Sequence, residues 1–166
     1  LNKDQAILIV KESALDNIVV YQNHDIKITA FRVNHGVVQQ AYGYKFESGG
    51  RKIIISGDTT YSENLIKHAK NADILIHEIA AASKTLLDRN NRLQKIMAYH
   101  SDPEHLAQSL IKIQPKYTIL NHVLLFGISE KEVLEKLKAK FDGQVYFGKD
   151  LLKISIGKSI IITPYD

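Results

Sequence analysis

The chain has no cysteine and no tryptophan, and only one methionine and three prolines in 166 residues. Without thiols, disulfides and thiolate metal sites are both excluded, so any metal must be held by histidine, aspartate or glutamate. No apolar run approaches the length of a membrane span, and the first residues do not resemble a secretory signal. The cytoplasm is the expected compartment. The chain opens Leu1-Asn2-Lys3-Asp4 with no methionine, which leaves an upstream targeting segment open. Nor does one charge dominate: 22 Lys and Arg against 18 Asp and Glu leave a formal +4, and the cations are scattered. That argues against a dedicated nucleic-acid surface. What remains is ordinary for a soluble globular chain, 45% hydrophobic and 24% charged, long enough for one core or a large part of a bigger domain. There is no internal repeat, linker or low-complexity segment.

Ala6-Ile7-Leu8-Ile9-Val10 and Ile18-Val19-Val20-Tyr21 read as strands. Ile26 to Val33 alternates apolar and polar with period two, and a further strand follows through Ala41 to Phe46. Ser48-Gly49-Gly50 then turns the chain into Ile53-Ile54-Ile55, a β-branched run of the kind buried on both faces of a sheet. Residues 6–56 are therefore expected to form a mostly antiparallel meander. Afterwards the period changes. A helix is expected over Ser62 to Ala69, a strand over Ala72 to Ile76 and a weak helical signal over residues 80–97. Asp102-Pro103-Glu104 opens a clearer helix, and Tyr117 to Leu120 reads as a strand. Ser129 with Glu132 forms a capping box for an amphipathic helix to about Phe141, and two strands close the chain, Leu151 to Ile156 and Ser159 to Thr163.

The candidate chemistry collects at strand ends. Ser56-Gly57-Asp58-Thr59 terminates the isoleucine strand with a tight exit and a carboxylate, where ligands gather in α/β layers. His35, His77-Glu78 and His122 each follow an apolar strand, and His100 stands just ahead of the Asp102 helix. Imidazoles and carboxylates delivered by several strand ends are how a cation is held without thiols. Singly, each has a plainer reading: Asp58 as a turn former, His122, His35 and His77 as satisfied imidazoles, Glu78 as partner to a lysine. His24, His68 and His105 fall in a turn or on solvent-facing helix positions and carry no role. Tyr42 and Tyr44 read as an exposed or cross-strand aromatic pair.

Six ordered motifs carry a resemblance: Phe31 to Gly36, Ala41-Tyr42-Gly43-Tyr44, Ile55 to Thr59, Leu75-Ile76-His77-Glu78, Tyr99-His100-Ser101 and Leu120-Asn121-His122-Val123. Together they resemble the second half of a metallo-β-lactamase-fold hydrolase, nearest to the ribonuclease Z and arylsulfatase-like branch. The resemblance implies an α/β fold, half of an αββα sandwich with a mixed sheet and helices on one face. It implies Asp58 as the aspartate that bridges two metal ions, usually zinc, and His122 as a further metal ligand. It also implies His100 as a catalytic proton-transfer residue, with His35, His77 and Glu78 orienting ligands or facing substrate.

The chain departs from that family in three places. The family's His-Ser-Thr reads His100-Ser101-Asp102, and its His-Glu-Ala-Thr reads His77-Glu78-Ile79-Ala80. The His-x-His-x-Asp-His signature and the further histidine ligand after it are not found. Residues 1–166 are therefore expected to be the C-terminal portion of one such domain, with the N-terminal half absent and the dinuclear site incomplete. The expected activity of the intact protein is metal-dependent hydrolysis of phosphoester, sulfate ester or related ester bonds, the fragment alone being inactive. Two alternatives stand beside it, a ribonuclease Z-like RNA endonuclease and a non-catalytic half-domain. The expected partners are a small ester or RNA, and either the N-terminal half of the same fold or a second copy, with no membrane.

Overall fold

The structure is a computed structural model and describes residues 16–164. The expected strand over Ala6 to Val10 lies outside the described residues. Seven strands form one sheet in strict chain order: β1 (Ile18–Gln22), β2 (Ile26–Arg32), β3 (Tyr42–Ser48), β4 (Arg51–Ile55), β5 (Ile74–Ala82), β6 (Tyr117–Phe126) and β7 (Gln144–Phe147). The first four pair antiparallel, as the short turns between them require, and β4 to β7 run parallel with helical crossovers between them. This is the mixed sheet expected from the sequence. Five helices accompany it: α1 (Glu63–Ala69), α2 (Lys84–Arg89), α3 (Asn91–Met97), α4 (Pro103–Ile113) and α5 (Glu130–Lys138). Ser62, Asn90, Asp102 and Ser129 cap four of them, Ser129 through a full capping box with Glu132. A separate hairpin, β8 (Lys153–Ile156) and β9 (Ile160–Thr163), closes the described chain.

Three elements differ from the sequence reading. The segment 80–97 is a strand extension followed by two short helices, because Ala80 to Ala82 continue β5 alongside Leu124 to Phe126 of β6. Alanines carry a weak β preference, and it is the pairing with β6 that decides the matter. Strand β7 was not legible, since Gln144-Val145-Tyr146-Phe147 is four residues long and its pairing with β6 supplies the definition. His68 is not solvent-facing: its ring stacks on Phe31 with centroids 4.3 Å apart, and burial lowers its pKa.

The two faces of the sheet are different. On one, Phe31, Ile54, Leu75, Leu120 and Val145 meet Leu65, Leu106, Leu110, Val133 and Leu137 of the helices in a single buried core. On the other, two cross-strand rows are largely apolar: Ile28, Phe46, Ile53, Ile74, Tyr117 with Gln144 at its end, and Ala30, Tyr44, Ile55, Ile76, Ile119, Tyr146. The hairpin lies over the β6–β7 end of this face, where Leu152, Ile154, Ile160 and Ile162 share cavities with Ile76, Tyr117, Ile119 and Tyr146. Arg51 anchors its turn by donating to the carbonyls of Gly157 and Lys158. Ile74 and Ile119 are buried, whereas Tyr44, away from the hairpin, is 39% exposed.

Candidate metal centre

The site is built at the C-terminal ends of the central strands. After β4 the chain turns sharply at Gly57, whose φ is +62° and where a Cβ would lie 2.4 Å from the Tyr42 carbonyl oxygen, so only glycine fits. This exit sets Asp58 at the rim. Strand β6 delivers His122 by a different device. The pairing Glu78 with Asn121 passes directly to Ile79 with Val123, so His122 is an extra residue in a β-bulge. Its φ is +41°, in the left-handed region that a β-carbon disfavours. A histidine held there lifts its ring out of the alternation of the strand. His100 arrives from the end of α3, in a loop fixed by Ala80 donating to the Ser101 carbonyl and by the Ser101 hydroxyl donating to the Thr59 carbonyl.

These three side chains converge. One potential ligand atom from each of Asp58, His100 and His122 lies within 4.8 Å of the others, and His122 Nε2 is 3.5 Å from Asp58 Oδ2. Ligands about 2.1 Å from a tetrahedral ion stand roughly 3.4 Å apart, so the 3.5 Å between His122 and Asp58 fits a shared ion, with the His100 ring beside it. His35 stands beside this group, its ring centroid 5.2 Å from that of His100. Its Nδ1 is 2.8 Å from the Tyr99 carbonyl oxygen. A carbonyl can only accept, so Nδ1 carries the hydrogen, and in the neutral ring Nε2 would be the nitrogen with the lone pair.

Glu78 is buried behind His100. Its Oε1 accepts from the backbone N–H groups of Ser101 at 2.6 Å and Thr59 at 3.4 Å. Its Oε2 is 3.4 Å from His100 Nδ1, and both atoms are buried without a hydrogen-bond partner among the described residues. Burial pushes the Glu78 carboxyl up to about 8 against the pull of those two N–H donors, and the Asp58 charge adds to the rise. Burial also lowers the His100 imidazole, opposed by Asp58 and reinforced by His35 and His122. Among the described residues no lysine pairs with Glu78. Its carboxyl is held by backbone donors and faces an imidazole.

His77 is the residue the structure takes out of the site. It sits on the helix side of β5, 1% exposed, with Nδ1 held 2.6 Å from the Glu78 carbonyl oxygen. Burial lowers its pKa to about 4, so the ring is neutral at ordinary pH. The reason is the period of a strand: adjacent residues point to opposite faces, and Glu78 takes the site side. His24 and His105 pair with the exposed Asp25 and Asp102 and stay outside the centre. Spacing alone could not order the set, because the bulge at His122 leaves no mark in the sequence.

A family model described as the beta-lactamase superfamily domain matches residues 3–123. Among curated proteins, the ribonuclease Z of Mycolicibacterium gilvum is 24% identical over 148 residues, covering 88% of this chain and 52% of the relative. The chain thus spans about half the length of the curated relatives it matches. Among solved structures, the metallo-beta-lactamase fold protein YhfI from Bacillus subtilis aligns with a TM-score of 0.62 at 20% identity, over 78% of this chain and 49% of that one. The short form of human tRNase Z aligns with a TM-score of 0.59 at 23% identity, over 86% and 46%.

Proposed function

The chain belongs to the beta-lactamase superfamily and carries half of a metallo-β-lactamase fold, and from that premise we propose that it supplies one wall of a metal-dependent hydrolase site for phosphoester, sulfate ester or related ester bonds. The observation that carries this reading is the convergence of Asp58, His100 and His122 from three separate segments onto one point. A divalent cation held there, zinc in this reading, would supply a water of lowered pKa and neutralise charge developing on the ester oxygen. Asp58 brings negative charge and His122 a neutral imidazole. His35 flanks this set, oriented by the bond of its Nδ1 to the Tyr99 carbonyl. Two ions need more donors than these, and the rest come from the complementary half of the fold.

His100 is the residue that moves a proton. Its Nδ1 faces the buried Glu78 carboxyl, which keeps its own proton to about pH 8, so the ring can be resupplied from behind as it gives one up at Nε2 to the leaving oxygen. Glu78 is then a positioning residue that acts through His100.

The test is calorimetric titration of zinc into the 166-residue chain and its Asp58→Ala and His122→Ala variants, alongside hydrolysis of bis(4-nitrophenyl) phosphate. The expected result is zinc binding that weakens by more than about a hundredfold in either variant, beyond what removal of a residue behind the ligands costs. Unchanged zinc affinity in Asp58→Ala would overturn the reading.

Two other readings have a specific observation behind them. The ribonuclease Z relatives favour an RNA substrate, and RNA binding that falls steeply with salt supports it. The open apolar face favours an interaction half-domain that pairs with the complementary half or with a second copy. A chain that associates but never binds zinc would select that last reading.

A further inference from the structure

One end of the sheet carries a segment that the rest of the chain holds at few points. No residue from Lys149 to Pro164 is buried, and β8 and β9 pair with each other and with no strand of the seven-stranded sheet among the described residues. A two-stranded hairpin is marginal in water unless something packs or pins it. Here the packing is the half-buried set Leu152, Ile154, Ile160 and Ile162, and the pin is Arg51. Arg51 Nε and Nη2 donate to the Gly157 carbonyl at 3.1 and 2.6 Å, and Nη2 also donates to the Lys158 carbonyl at 2.9 Å. Its Nη1 donates to Asp73 Oδ1 at 2.9 Å, so the planar guanidinium has one edge on the sheet and the other on the hairpin turn. Asp73 aims it. Burial would raise the Asp73 pKa, but Lys116, the Lys52 N–H and Arg51 together hold it at about 2, so the carboxylate is charged at every ordinary pH. Where the chain enters the hairpin, Gly148 N–H donates to the Leu120 carbonyl at 2.8 Å, and Leu151 has a φ of +66°, a conformation that a leucine avoids.

We propose that residues 149–164 form a flap that lifts from the sheet as one unit, with its hinge in the turn after Gly148 and Arg51 as its latch, uncovering a cavity beside His122. That cavity, of about 400 Å³, is walled by Ile76, Ile119 and His122 on the sheet and by Lys149, Leu152 and Ile154 on the flap. The flap is therefore one wall of a space that reaches the donor cluster. Its latch stands at the other end of the strands, since Arg51 opens β4, Asp73 precedes β5 and Lys116 precedes β6. Segments open locally where few buried contacts and few hydrogen bonds must be given up, and this one has half-buried contacts and one guanidinium. Opening also lets Leu151 leave its left-handed conformation. The inference does not depend on the hydrolase reading, because the motion is read without metal or turnover.

The chain has no cysteine, so one introduced thiol reports on one position. Ile119→Cys puts it under the flap, at a site 4% exposed, and Leu75→Cys puts it in the helix-side core, at 0%. Ellman's reagent reaches either thiol only when its cover opens. Labelling at 119 is expected to be nearly independent of urea at low concentration, because a flap exposes little surface, whereas labelling at 75 should rise steeply as the whole sheet unfolds. Arg51→Met should speed labelling at 119 by about tenfold or more and leave the rate at 75 within about twofold. Arg51→Lys should do the same while keeping a cation on Asp73, since an ammonium cannot span both partners. In the unaltered chain, the amides of β8 and β9 should exchange as one set, ahead of those of β5 and β6. A urea dependence at 119 as steep as at 75 overturns the flap, and separate exchange of β8 and β9 overturns its moving as one unit. Rates at 119 that ignore both Arg51 variants, or that rise in step with those at 75, overturn the latch.

Discussion

The two faces of the seven-stranded sheet share a backbone and differ in almost everything else. The helix-side face packs Phe31, Ile54, Leu75 and Leu120 against three helices, and the opposite face carries two largely apolar rows over which, among the described residues, a two-stranded hairpin covers one end. Consecutive residues of β5 show what this does to chemistry. His77 points into the finished core and is silenced, neutral down to about pH 4. Glu78 points to the unfinished side, near the donors, and keeps its proton up to about pH 8. Burial shifts both toward the neutral form. The difference lies in what each faces: His77 meets a backbone carbonyl and apolar side chains, whereas Glu78 meets an imidazole at the rim of an open site.

The largest effects should fall on the finished face. Leu110→Ala removes a fully buried side chain from the helix-side core and is expected to cost about 2–5 kcal/mol in urea denaturation. Ile55→Ala, in the open row, should cost about 1 kcal/mol or less, since that side chain is already partly in water. Equal costs would mean that the open face is covered in solution. Self-association is the direct check. Sedimentation of the isolated chain should show reversible association that Tyr44→Glu weakens, because Tyr44 lies in an open row at 39% exposure. A monodisperse monomer that binds no apolar dye would break the comparison between the faces.

The next effect is on pH. An unfolded glutamate titrates near 4.5 and Glu78 near 8, so between those values the folded chain holds a proton the unfolded chain has lost, and stability falls as pH rises. For His77 the order is reversed: between about 4 and 6.5 the unfolded chain holds the extra proton, and stability rises with pH. The two slopes oppose each other from 4.5 to 6.5, leaving a rise below that interval and a decline from 6.5 to 8. Thermal melts in EDTA should show that shape, and Glu78→Gln should remove the alkaline decline alone. An alkaline decline that survives Glu78→Gln would place its cause elsewhere.

How much of this was legible follows from the same contrast. The isoleucine strand, the meander before it and the capped helices were readable because their signals are local: β-branched runs, period two, Ser and Asp before amphipathic stretches. Asp58 and His122 were readable as a pair only through the order of six motifs. The faces of His77 and Glu78 were not, since two adjacent polar residues at a strand end say nothing about which side is core. Residues 80–82 and β7 were missed because each is defined by its pairing with β6. The bulge was invisible for the same reason.

That bulge offers the smallest effect and the most direct test of why a histidine stands at 122. At φ +41° a β-carbon costs about 1 kcal/mol, and asparagine tolerates this region better than histidine or any β-branched residue. His122→Asn should therefore stabilise the metal-free chain by a few tenths of a kcal/mol, and His122→Gly should be near neutral, because relief of strain is offset by the entropy glycine brings to the unfolded chain. His122→Val should destabilise by about 1–2 kcal/mol. All three should lose zinc affinity together, whatever they do to stability. A stability order with valine at or above histidine would show that no strain is held at 122. The imidazole would then sit there by packing, and the donor cluster would lose the local evidence that its geometry is maintained at a cost.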